Sequence, residues 1–205
     1  MKRRESESSI LLEKIREQVS LAEDLISLIP NSALEWRPAI QTDSSLDEGR
    51  SLAGSPTPGK STQDACAPRS DNELLRMGDL LGHLLDCMAG FCALLYSINS
   101  AQLGHFNKLR GLEVNHFCGV EEARARMRDY LLHIEDGFAL LDDAGLGKPL
   151  PTVFVPEGEP ILTLLLGNLE HLINHKHQLF MYLRLLGARV GTRDLYRIRG
   201  GQAGS

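Results

Sequence analysis

Glu170-His171-Leu172-Ile173-Asn174-His175-Lys176-His177-Gln178 places two histidines four residues apart inside the apolar stretch 160–186. On a helix, residues i and i+4 project from the same side about one turn apart, so both imidazoles can reach a single ion. Leu164, Gln178 or Leu179, Tyr182 and Leu186 continue the same line. That line is mostly apolar, which directs the histidines at a protein interior. Pro160 opens the stretch and Gly187 lies just past its end, the asymmetry expected of a helix. The pair asks for other helices to cover it.

Three further helical segments answer. Residues 5–29 carry Leu11, Ile15, Val19, Ala22, Leu25 or Ile26, and Ile29 at three- and four-residue steps, and Pro30-Asn31 stops them. Residues 71–99 carry Leu80, Leu84, Met88, Phe91, Leu94 or Leu95, and Ile98, nearly apolar on more than one side. Residues 120–144 carry Ala123, Met127, Tyr130 or Leu131, Ile134, Phe138 and Leu141, with Gly145 and Gly147 as the stop. Between the first two helices, residues 39–70 crowd Ser, Thr, Gly, Pro and Asp without periodicity, which reads as a long flexible loop. Residues 188–205 read as a polar, Gly-rich tail. The single Trp36, just after the first helix, is expected to anchor against the bundle. Four amphipathic helices of similar length predict an all-α four-helix bundle, with residues 1–205 as one domain.

Bulk properties agree. The chain has 205 residues, 42% hydrophobic and 24% charged, within the range of an ordinary globular domain. A net charge of -5 gives no general attraction to nucleic acid, and the basic clusters at Lys2-Arg3-Arg4 and from Arg184 to Arg199 read as a solvated terminus and cations around a helix end. Cys66, Cys87, Cys92 and Cys118 form no CxxC pair, which suits a reducing cytoplasm rather than a disulfide framework. No apolar signal core opens the chain, and no uninterrupted apolar run reaches about 18 residues, so neither a leader nor a membrane span is expected.

A third metal ligand must come from another helix. His83 shares a line with Leu80, Cys87 and Phe91 on the buried second helix. Three neutral imidazoles would hold one divalent ion, zinc or nickel by preference, and leave positions open. Each ring also needs a partner on its other nitrogen. Asp79 and Asp86 flank His83, and Glu170, Asn174 and Gln178 flank the helical pair. Cys87 is a possible thiolate ligand but reads better as a small core residue. His177 projects away from the line, His133 reads as lying on the polar side of the third helix, and His105 and His116 fall in a connector. A di-iron carboxylate bundle would need two Glu-x-x-His motifs, and the one present, Glu113 to His116, lies in that connector.

His171, His175, Gln178 and the Tyr182-Leu183-Arg184-Leu185-Leu186-Gly187 close resemble the signature of the DinB/YfiT-like superfamily. Leu80-Leu81-Gly82-His83-Leu84 resembles its earlier histidine motif, and Trp36-Arg37-Pro38 its Trp-Arg-Pro after the first helix. The resemblance covers most of the chain in the same element order. It implies a four-helix bundle with a three-histidine metal site at His83, His171 and His175, often as a homodimer. It also implies a metal-dependent thiol transferase or isomerase that uses bacillithiol, mycothiol or glutathione, although many relatives have no known activity. Two departures stand out: Asn174 and Lys176-His177 flank His175 where the family shows His-His followed by Arg-Gly, and the 39–70 stretch is longer than the family needs.

The expectation is therefore a cytoplasmic metalloprotein acting on a small-molecule electrophile through a thiol or water. The alternative is a non-enzymatic, stress-related or dimeric helical protein. Nucleic acid is not expected as a partner, nor is a membrane.

Overall fold

A computed structural model describes residues 6–39, 74–152 and 155–197. The expected 39–70 loop lies almost wholly outside these residues. The chain is mostly helical: α1 (Glu7–Ile26), α2 (Met77–Asn99), α3 (Val120–Phe138), the short α4 (Asp143–Leu146), α5 (Ile161–Leu185) and the short α6 (Thr192–Leu195). A two-residue antiparallel pair, β1 (Pro149–Leu150) with β2 (Glu159–Pro160), precedes α5. A 3-10 segment, Gly104–Gly111, joins α2 to α3.

The helices begin and end where backbone groups find partners. Ser6 caps α1 by accepting from the Ser9 amide at 3.2 Å. α2 has no side-chain cap; its Met77 and Gly78 amides instead donate to the Trp36 and Leu34 carbonyls at 2.8 and 2.9 Å. The segment after α1 thus serves as the cap of α2. Just past its C-cap Leu186, α5 is closed by Gly187, which takes a left-handed φ of 83°, while the Ala188 amide reaches the Leu183 carbonyl and the Gly187 amide that of Arg184. That is a Schellman close, and it needs glycine because a Cβ disfavours this φ.

α2 packs on α3 and α5, and α1 packs on the same two helices, so the four long helices share one core. The expected stripes are the buried ones: Leu11, Ile15, Val19, Ala22, Leu25 and Ile26 on α1, and Leu80, Leu84, Met88, Phe91 and Leu95 on α2. α2 is long and apolar enough to cross a membrane by length and composition, yet twelve of its residues lie buried within this core.

Three local expectations change. α3 stops at Phe138, six residues short of the expected 144, because Asp142 caps a new turn through the Gly145 amide at 2.7 Å. The tail is not simply polar: α6 forms, Leu195 is buried, and Ala188 and Val190 pack on the core. His133 is buried at 8% exposure rather than on a polar side, because Phe106 of the 3-10 segment lays its ring beside it.

Candidate metal centre

His83 on α2 faces His171 and His175 on α5. The His83 Nε2 lies 3.2 Å from His171 Nε2 and 3.0 Å from His175 Nε2. Zn–N bonds are about 2.0–2.1 Å, so imidazole nitrogens sharing one ion sit roughly 3–3.4 Å apart. The observed spacings fall in that range.

The other ring nitrogens decide what faces inward. His83 Nδ1 is 2.6 Å from Asn115 Oδ1, and His175 Nδ1 is 3.0 Å from Gln178 Oε1. A carboxamide oxygen only accepts, so in each ring Nδ1 carries the hydrogen and donates. The Gln178 orientation follows from its neighbours. Tyr182 donates its hydroxyl to the Leu75 carbonyl at 3.0 Å, so its oxygen accepts from the Gln178 amide nitrogen at 3.1 Å, which turns Gln178 Oε1 towards His175. Burial pushes the Tyr182 hydroxyl up from its usual range, which keeps it a donor. Trp36 meets the Tyr182 ring edge-on at 5.5 Å between centroids, so the expected anchor supports the end of this relay.

With both Nδ1 atoms donating outward, the Nε2 atoms of His83 and His175 face each other across 3.0 Å, where each carries a lone pair if its ring is neutral. Two lone pairs repel unless a proton or a cation lies between them. A proton on the His175 side is disfavoured: burial pushes His175 down to about 4, with His83 and His171 adding to the effect and the Gln178 bond opposing it. Burial, then His83, lowers His171 as well. The donor set therefore fits a divalent cation.

The remaining expected partners divide. Gln178 makes its contact. Asp86 is half-buried, and its charge acts on His171 and His175 as well as on Tyr130. Asp79 turns instead to Arg76, in a two-pronged pair at 2.7 and 3.0 Å. Glu170 and Asn174 are exposed. Cys87 is a buried core residue as expected, but its Sγ also lies within 4.8 Å of a nitrogen on each of His83 and His171, which makes that trio a potential metal-holding group.

Asn115 is the partner that the sequence did not reveal. It sits at φ 56°, a left-handed conformation that asparagine tolerates, and its amide donates to the Gly82 carbonyl at 3.1 Å. A Cβ on Gly82 would lie 1.8 Å from the His116 carbonyl oxygen, so only glycine lets the connector approach closely enough. Gly78, one turn earlier, takes the Phe117 ring in the same way. Two glycines four apart on a Leu-rich helix were the available signal.

Lys176 was also missed. It is 2% exposed, pointing away from the histidines, and donates to Gln18 Oε1 at 2.6 Å and to the Leu195 carbonyl at 2.7 Å. Burial pushes it down to about 8.

Two other clusters involve histidine. His116 Nε2 pairs with Glu122 Oε1 at 2.9 Å beside Cys118, whose thiol burial pushes up to about 12 and so holds protonated. His105, His133 and Asp136 meet between the 3-10 segment and α3. Comparison of the chain with family models, curated proteins and solved structures gives no match.

Proposed function

We propose that this chain is a DinB/YfiT-like four-helix bundle in which His83, His171 and His175 hold one divalent ion, zinc or nickel. The observation that carries the reading is the inward lone pairs of His83 and His175, fixed by Asn115 and Gln178. Three imidazoles leave further positions on an ion for a thiol or water. A bound divalent ion would lower the pKa of that ligand and so supply a nucleophile near neutral pH. The function proposed is transfer of a low-molecular-weight thiol, such as bacillithiol, mycothiol or glutathione, to a small electrophile, in a cytoplasmic homodimer.

The chain's own residues do the positioning. Asn115 and Gln178 hold two of the rings in the ligating tautomer, and Tyr182 fixes Gln178. Burial keeps His171 and His175 neutral, as a ligand must be.

A second reading is metal binding without turnover, in which the ion ties α2 to α5 through the facing nitrogens of His83, His171 and His175. Elemental analysis of protein purified without a histidine tag tests the shared premise. The His83→Ala/His171→Ala/His175→Ala variant is expected to hold about one zinc or nickel per chain fewer than the wild type. Metal retained at wild-type stoichiometry in that variant sinks the assignment. A conjugation screen with the three thiols then separates the readings, since metal without turnover favours the second.

A further inference from the structure

His133 and Asp136 lie three residues apart on α3 and so share a face. The 3-10 segment crosses this face, held by Phe106, which is buried. The Phe106 ring stands edge-on to both His105 and His133, at 4.8 and 5.1 Å between centroids. This anchor sets the His105 ring 5.5 Å from that of His133, and His105 Nε2 lies 3.2 Å from Asp136 Oδ2. One donor atom from each of the three residues falls within 4.8 Å of the other two.

His133 is the unusual member. At 8% exposure it is more than nine-tenths buried, and its Nδ1 finds no hydrogen-bond partner among the described residues. Buried polar atoms are almost always satisfied, so this nitrogen is open to a water or an ion. Burial, then Lys108 and His105, lower the His133 pKa, which leaves the ring neutral and able to ligate. His105 and Asp136 have side chains 45% and 59% exposed, so they can turn towards the fixed His133. The three line a cleft of about 600 Å³ together with Lys108, Arg126 and Asp129. Charges of both signs surround it, and Arg126 is already engaged by Glu122 and the Tyr130 hydroxyl.

We propose that His105, His133 and Asp136 form a second divalent-metal site, sharing no residue with His83, His171 and His175. Two imidazoles and one carboxylate suit zinc or a similar first-row ion, and three protein ligands leave positions open to the cleft. Imidazole-bound ions sit with neighbouring donor atoms roughly 3–3.4 Å apart, and the His105–Asp136 spacing already meets this.

The test is titration of the metal-free full chain with Zn²⁺ alone near neutral pH, followed by calorimetry, with metal content measured after gel filtration. His105→Gln and Asp136→Asn alter exposed side chains and are the informative variants, and His133→Gln is the third. Removing a second-sphere partner already costs about 10–100-fold in affinity, so each of these ligand changes is expected to weaken one binding event at least tenfold. The event removed by His83→Gln with His171→Gln should stay unchanged. Zinc binding that is the same in wild type, His105→Gln and Asp136→Asn overturns the proposal. A loss in those two variants with no loss in the His83 and His171 variants supports this site and instead defeats the three-histidine reading.

Discussion

Neutral imidazole carries one N–H and one lone pair, and whichever atom takes the hydrogen decides whether the other can ligate. In His83 that choice belongs to Asn115, and in His175 to Gln178. Removing either acceptor frees the ring to rotate or to adopt the other tautomer, which turns a hydrogen inward. Asn115→Ala and Gln178→Leu are therefore each expected to weaken zinc binding at the three-histidine centre by about 10–100-fold while leaving the helical content intact. Competition against a chelator, read beside circular dichroism, checks this. Unchanged affinity in both variants would mean that the rings are oriented by packing alone. Asn115→Ala carries the sharper consequence, because its 2.6 Å contact is the shorter of the two.

At the scale of elements, α2 is where sequence and site meet. Gly82 lets the connector cross its back, and that crossing delivers Asn115. Gly82→Ala would drive a methyl into the His116 backbone, which cannot move aside as a side chain can. Overpacking of this kind costs about 1–3 kcal/mol, and here it should also weaken metal binding by displacing Asn115. Gly78→Ala meets only the Phe117 ring, which is part-exposed, so its cost should be smaller. Urea denaturation of the two variants gives the comparison, and equal midpoints would refute it. α6 depends on α5 in a similar way. Lys176 reaches across to the Leu195 carbonyl and to Gln18 of α1, tying three elements together. Lys176→Met keeps the stem but strips the donor from two acceptors, an omission worth about 1–3 kcal/mol for buried groups. Residues 192–197 should then loosen, with faster tryptic cleavage at Arg193 and Arg197. Cleavage as slow as in wild type would show that Leu195 packing suffices.

For the whole molecule, the four long helices and their inward faces were legible because each depends on residues of its own helix, spaced at three and four. The convergence of His83 with His171 and His175 was legible for the same reason: each stood on a mostly apolar line that had to face inward. What could not be read depends on what crosses a helix from elsewhere. His133 looks polar on the α3 pattern and is buried only because Phe106 comes beside it. Lys176 looks like surface and is buried because α1 and α6 close over that side of α5. Asn115 needs Gly82 across the helix. These buried bases give the metal-free protein a common pH response. His133, His171 and His175 are all lowered from 6.5, chiefly by burial, with His175 at about 4. Their charged forms are disfavoured in the fold, so below pH 6.5 the unfolded chain binds more protons, and stability falls as pH falls towards 4. The other large shifts leave this window clear. Lys176, at about 8, is charged in both states there, while Cys92 and Cys118, at about 12, are neutral in both. The urea midpoint of chelator-stripped protein should therefore drop steadily between pH 6.5 and 4, and the drop should flatten in His175→Gln. A midpoint that holds or rises over that range would mean these histidines are protonated in the fold, and two lone pairs facing across 3.0 Å would no longer require a metal ion between them.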